Sequence, residues 1–104
     1  MKQTKTLMEI GFKYEGSPDN GLIIYKKTKI RISREIVNAI KSEITRRSPV
    51  LMGACRDKPS KNSIGESLKM QGHSPQKLSY VIPLLIEEGF CMANDKKPFV
   101  ITRK

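Results

Sequence analysis

The sequence predicts an α+β fold in one domain, and three observations carry that prediction. The chain has 104 residues, the size of a single domain. Its first third alternates apolar and polar residues between dense turn signals, as antiparallel strands do. Its middle places apolar residues at helical spacing between capping residues and prolines. Hydrophobic residues make up 38% of the chain, enough for a compact core. Only 6% are aromatic and Trp is absent, so that core must rest on Ile, Leu, Val and Met.

The chain opens on a predicted short helix. Leu7, Met8 and Ile10 precede Gly11, which suits a helix end. Strands follow. Phe12 and Tyr14 alternate with Lys13 and Glu15, and Ser17-Pro18-Asp19-Asn20-Gly21 is a dense turn signal. Leu22 to Tyr25 is a strongly β-forming run, and Ile30 and Ile32 alternate with charges after a turn at Lys26-Lys27-Thr28-Lys29. A three-stranded meander accounts for residues 11–32.

Ser33 is placed to cap the next segment, with Glu35 in the first turn, where a negative charge suits the helix dipole. Ile36, Val37, Ile40 and Ile44 give one apolar face; Arg46 and Arg47 fall in the last turn, and Pro49 bars continuation. Residues 48–62 form a connection with a candidate strand from Val50 to Cys55. A second helix begins near Ser63, whose spacing to Glu66 matches a capping box, and ends at Gly72. Ser74-Pro75 then opens a third helix. There Leu78, Val81, Ile82, Leu85 and Ile86 recur at i, i+3, i+4, i+7, i+8, a full amphipathic stripe that Gly89 closes. The tail reads as a hairpin: Phe90 to Ala93, a turn at Asn94-Asp95-Lys96-Lys97, and Phe99 to Thr102.

Charge narrows the function. Lys and Arg number 20 against 10 Asp and Glu, a formal +10, more than the solubility of a small domain asks for. An anionic partner is expected. Residues 1–32 and 33–62 each hold seven basic and three acidic residues, and residues 63–104 hold six and four, so the excess is distributed. The longest uncharged apolar stretch, Ser79 to Ile86, is too short to span a bilayer, and the N-terminus lacks a signal-peptide pattern. A cytoplasmic setting is expected, with Cys55 and Cys91 as reduced, buried thiols.

The runs Ser63-Ile64-Gly65-Glu66-Ser67-Leu68, Gly72-His73-Ser74-Pro75-Gln76-Lys77-Leu78-Ser79 and Leu85-Ile86-Glu87-Glu88-Gly89-Phe90 together resemble the winged helix-turn-helix family of small bacterial and archaeal transcriptional regulators. The likeness covers roughly residues 33–104. It implies a three-helix core with a C-terminal β-hairpin wing, preceded here by an N-terminal helix and meander. In that arrangement one helix lies across the DNA backbone while the next enters the major groove. The third helix would then offer Ser74, Gln76, Lys77, Ser79 and Tyr80, with Gln76 suited to adenine edges and Lys77 to guanine or phosphate. The wing would offer Lys96 and Lys97. Lys26, Lys27 and Lys29 of the hairpin, with Arg31 and Arg34, would extend the footprint. Double-stranded DNA is the expected partner. A homodimer on palindromic half-sites is favoured by the few contacts a chain of this size makes alone. No cofactor, catalysis, small-molecule effector or membrane contact is implied.

Two departures qualify the likeness. Pro83 falls inside the third helix, where proline costs about 3 kcal/mol. Either it frees the Ser79 carbonyl and kinks the helix, or it opens a second short helix. Tyr80, Pro83 and Leu84 also share the outer face with Gln76 and Lys77, and an exposed apolar cluster marks a protein contact. A partner-binding or dimer face there is the first alternative, unless the N-terminal hairpin covers it. RNA binding through the basic hairpin is the second.

Other sites are weaker. His73 is the sole histidine and reads as a polar turn residue; one His and two distant Cys do not make a closed zinc site. Nothing in their spacing argues for a Cys–His nucleophile pair. Pro18-Asp19 matches the opening of a nuclease motif, but the strand Leu22 to Lys27 lacks the acid that such a motif needs. Phosphate-binding Gly-rich loops are missing. Arg56 beside Asp57 reads as a structural pair within the connection, with a phosphate contact as the alternative.

Overall fold

The computed structural model describes residues 1–55 and 57–104. Arg56, and with it the Arg56–Asp57 pair, lies outside the described residues. The fold is α+β: an N-terminal four-stranded antiparallel meander, three α-helices and a small three-stranded sheet at the C-terminus.

The meander consists of β1 (Lys2–Lys5), β2 (Gly11–Ser17), β3 (Gly21–Tyr25) and β4 (Lys29–Ile32), hydrogen-bonded in chain order. Both sequence-predicted turns fall where expected. The predicted N-terminal helix is not present; a strand and a tight turn occupy its place. The Thr6 hydroxyl accepts the amides of Met8 and Ile10, each at 3.2 Å, and the Thr6 amide donates to the Ile10 carbonyl at 2.9 Å. Glu9 adopts a left-handed φ of 64°. A hydroxyl offering this alternative to helical bonding draws the chain into a hairpin, and β1 becomes the fourth strand. Phe12, Leu22, Ile24 and Ile32 are buried on the meander's inner face. Lys13, Glu15, Lys29 and Arg31 alternate outward.

Helix α1 (Arg34–Arg47) starts at Ser33, whose side chain accepts the Ile36 amide at 3.3 Å. Its buried stripe is the predicted one, Ile36, Val37, Ile40 and Ile44, with Glu43 added. Strand β5 is shorter than predicted, Val50–Leu51 rather than Val50 to Cys55. The Met52 amide still bonds the Phe99 carbonyl at 2.9 Å, and then Gly53 turns the chain away. At that point the backbone meets α2: a Cβ on Gly65 would lie 1.7 Å from the Gly53 carbonyl oxygen. Only a residue without a side chain fits at 65.

Helix α2 (Ile64–Met70) carries the predicted Ser63 cap, which accepts the Glu66 amide at 3.1 Å. The Glu66 carboxylate reaches one residue further back than a capping box requires and accepts the Asn62 amide at 3.0 Å. Gly72, at φ 85°, ends the helix in a Schellman arrangement with the His73 amide on the Leu68 carbonyl at 2.8 Å. A 3-10 turn, Pro75–Lys77, leads into α3 (Leu78–Glu87). Helix α3 runs unbroken through Pro83, so proline does not open a second helix there. Strands β6 (Cys91–Ala93) and β7 (Val100–Arg103) complete the second sheet, in the order β5-β7-β6.

Glu43 ties α1 to α2. It pairs with Arg46, and with Arg47 at 2.8 Å, and accepts the Ser67 hydroxyl at 2.9 Å. Burial alone pushes its carboxyl up. The hydrogen bonds from Arg47 and Ser67 and the charges of Arg46 and Arg47 outweigh that and hold it below the ordinary glutamate value. No described helix is long and apolar enough to cross a membrane.

Candidate nucleic-acid interface

Helix α3 is the element from which groove contacts were expected, and its surroundings decide what it can do. Val81, Ile82, Pro83, Leu84 and Leu85 are all buried. Five consecutive residues exceed the roughly 3.6 of one helical turn, so the middle of α3 has no open face. It packs against β1 of the meander and β6 of the second sheet. The expected exposed cluster of Tyr80, Pro83 and Leu84 is therefore not exposed as a unit. Pro83 and Leu84 are buried, and Leu84 belongs to the hydrophobic core. Tyr80 is half-buried, with its ring edge-to-face with Phe12 at 5.2 Å between centroids. The Lys26 ammonium lies 5.6 Å from the centre of the Tyr80 ring.

The predicted contact residues separate into two groups. Lys26, Ser79, Tyr80 and Lys97 line one cleft of about 680 Å³. Ser74, Gln76, Lys77, Lys27, Lys96 and Arg34 lie outside it. Gln76 projects from the 3-10 turn and is exposed, while Lys77 is half-buried. The Ser74 hydroxyl caps that turn by accepting the Gln76 amide at 3.3 Å. Lys27 is exposed in the β3–β4 turn, and Arg34 is exposed at the start of α1. Lys96 is exposed at the tip of the C-terminal hairpin.

Segments distant in sequence build the rest of the cleft: the β1–β2 turn with Met8 and Ile10, the stretch from Leu51 to Cys55 with Ser60, and the hairpin tip at Lys97, Pro98 and Phe99. Met8 and Ile10 are 53% and 55% exposed, so this wall is apolar and open to solvent. Among the described lining residues there is no carboxylate, and Lys26 and Lys97 are the charged ones. The hairpin tip is held by Asn94, a residue that sequence reasoning assigned only to a turn. Its amide donates to the carbonyls of Lys96 at 2.8 Å and Pro98 at 3.2 Å, and its carbonyl accepts the Val100 amide at 2.7 Å. An Asn bonding its own loop is the local signal that could have shown this. The β1–β2 wall had no such signal, because Leu7, Met8 and Ile10 mimic a helix face.

The cysteines differ from each other. Cys55 is exposed on the cleft wall, contrary to the expectation of a buried thiol. Cys91 is buried as expected, and burial pushes its thiol up to about 11. No group of three or more His, Cys, Asp or Glu among the described residues is placed to hold a metal ion. No protein-family model, curated protein or solved structure matches the chain.

Proposed function

We propose that this chain is a winged-helix protein that binds double-stranded DNA, gripping it with the C-terminal hairpin and the 3-10 turn rather than with the body of α3. The element order α1, β5, α2, α3, β6, β7 and the sheet order β5-β7-β6 support the winged-helix part of this reading. The observation that carries the DNA-binding part is the convergence of Lys26, from the meander, and Lys97, from the C-terminal hairpin, on a cleft with no described carboxylate. Lys96 and Lys27 stand exposed in the two turns that supply them.

Such a surface binds phosphates through charge and counterion release, with little base reading. Gln76 and Lys77, ahead of the buried part of α3, are the side chains positioned to touch base edges. The protein acts as a regulator or accessory factor whose affinity comes mainly from the backbone, and two copies on paired half-sites would enlarge the contact.

Fluorescence anisotropy with a random duplex at two salt concentrations tests this. Affinity should fall steeply with salt, and Lys96→Ala or Lys97→Ala should each flatten the logarithmic slope by about one. Gln76→Ala should relax sequence preference while leaving overall affinity nearly intact. A protein with no duplex affinity at low salt, or with a slope indifferent to both lysines, overturns the proposal.

A further inference from the structure

The outer face of the meander carries a second set of cations that neither the core nor the cleft uses. Cross-strand pairing aligns them: Lys13 lies opposite Tyr25, and Tyr25 lies opposite Lys29, on three adjacent strands. Directly opposed residues of antiparallel strands have Cα atoms about 5 Å apart, so both lysines flank the tyrosine. In the neighbouring row Arg31 lies opposite Ile23, which lies opposite Glu15. Lys13, Lys29 and Arg31 are exposed, and among the described residues none of them has an ion-pair partner. Tyr25 is half-buried, with the Lys29 ammonium 5.5 Å from the centre of its ring. Glu15 is the acid of the patch, and it sits beside the Tyr25 phenol.

We propose that this sheet face binds single-stranded nucleic acid, with a base stacked on Tyr25 and its flanking phosphates held by Lys13, Lys29 and Arg31. The occupant follows from the chemistry of the patch. A duplex hides its base faces inside the stack and would leave Tyr25 unused. An unpaired strand presents both a flat base and a phosphate on each side of it, matching an aromatic set between cations. Lys29 reaches on a flexible four-carbon stem and can exchange the ring for a phosphate. The site is separate from the Lys26–Lys97 cleft and does not depend on duplex binding.

Anisotropy of labelled oligo(dT) and oligo(U) of about 12 nucleotides, a length such surfaces cover, tests the inference on the full chain. Binding of either strand is expected; the two arms distinguish DNA from RNA. Tyr25→Ala should weaken it about tenfold, whereas Tyr25→Phe keeps the ring and should bind like the parent. Lys13→Glu should weaken it as well, and Lys97→Ala should leave it intact while still changing the duplex salt slope. Circular dichroism of each variant checks that the meander is folded. Absence of binding to both oligonucleotides overturns the inference, as does folded Tyr25→Ala or Lys13→Glu protein that binds like the parent. Single-strand binding lost with Lys97→Ala and kept by Tyr25→Ala assigns it to the cleft and equally overturns the sheet-face site.

Discussion

Helices α1 and α3 have similar apolar stripes in the sequence and opposite fates in the structure. Helix α1 buries Ile36, Val37, Ile40 and Ile44 and leaves its other side to solvent, with Asn38, Ser42 and Thr45 exposed. Helix α3 buries the equivalent stripe and also Pro83 and Leu84 beside it, with β1 on one side and β6 on another. A helix with one apolar stripe has a surface to offer a partner; a helix that is apolar all round joins two layers of core. The element that the sequence offers as a DNA reader is thus one packed between the N-terminal meander and the second sheet.

The largest test of that contrast is truncation. Leu85→Ala, at a fully buried position of α3, should cost about 2–5 kcal/mol in chemical denaturation. Thr45→Ala on the open side of α1 should stay within about 0.5 kcal/mol. Comparable losses at the two sites would break the comparison.

A smaller effect is expected at Glu43, the buried polar residue of α1. Glu43→Ala should cost about 2 kcal/mol near neutral pH, moderated because Arg46 and Arg47 remain partly in water. The pH dependence has a definite sign. The folded pKa of Glu43 is lowered, so its stabilisation is present above the unfolded value of about 4.3 and is lost as pH falls through the folded one. Denaturation midpoints measured down the acid limb should therefore decline less in Glu43→Gln than in the parent.

The smallest effect concerns the seam between meander and helix. Tyr80→Ala should cost about 1–2 kcal/mol by removing the edge contact with Phe12 and the cation–π contact with Lys26, whereas Tyr80→Phe should be near neutral. Amide exchange should quicken in β1 and β2 and remain unchanged in α1. Uniform quickening would mean that the meander is not separately attached through this ring.

Local chemistry explains which parts were legible in the sequence. Ser33, Ser63 and Gly72 announce helix ends by bonds made within a few residues, and all three act as expected. The hairpins at Ser17–Gly21 and Asn94–Lys97 are legible for the same reason. Residues 7–10 misled because their apolar spacing imitates a helix, while the deciding group, the Thr6 hydroxyl, acts on amides that a periodicity count ignores. The approach of Gly65 to Gly53 was not legible either, since two glycines twelve positions apart carry no sign of touching. The candidate site was half legible. Lys26 and Lys97 were named for their charge, but their shared cleft arises from packing the meander onto α3, a long-range event without a local pattern.

The unequal settings of the two thiols give chemical damage an address. Electrophiles and oxidants require a reachable sulfur, and Cys91 is sealed away with its proton held tightly. Cys55 is exposed and lines the same cleft as Lys97. Any adduct formed there would occupy the cleft that Lys26 and Lys97 line, leaving the buried thiol chemically untouched.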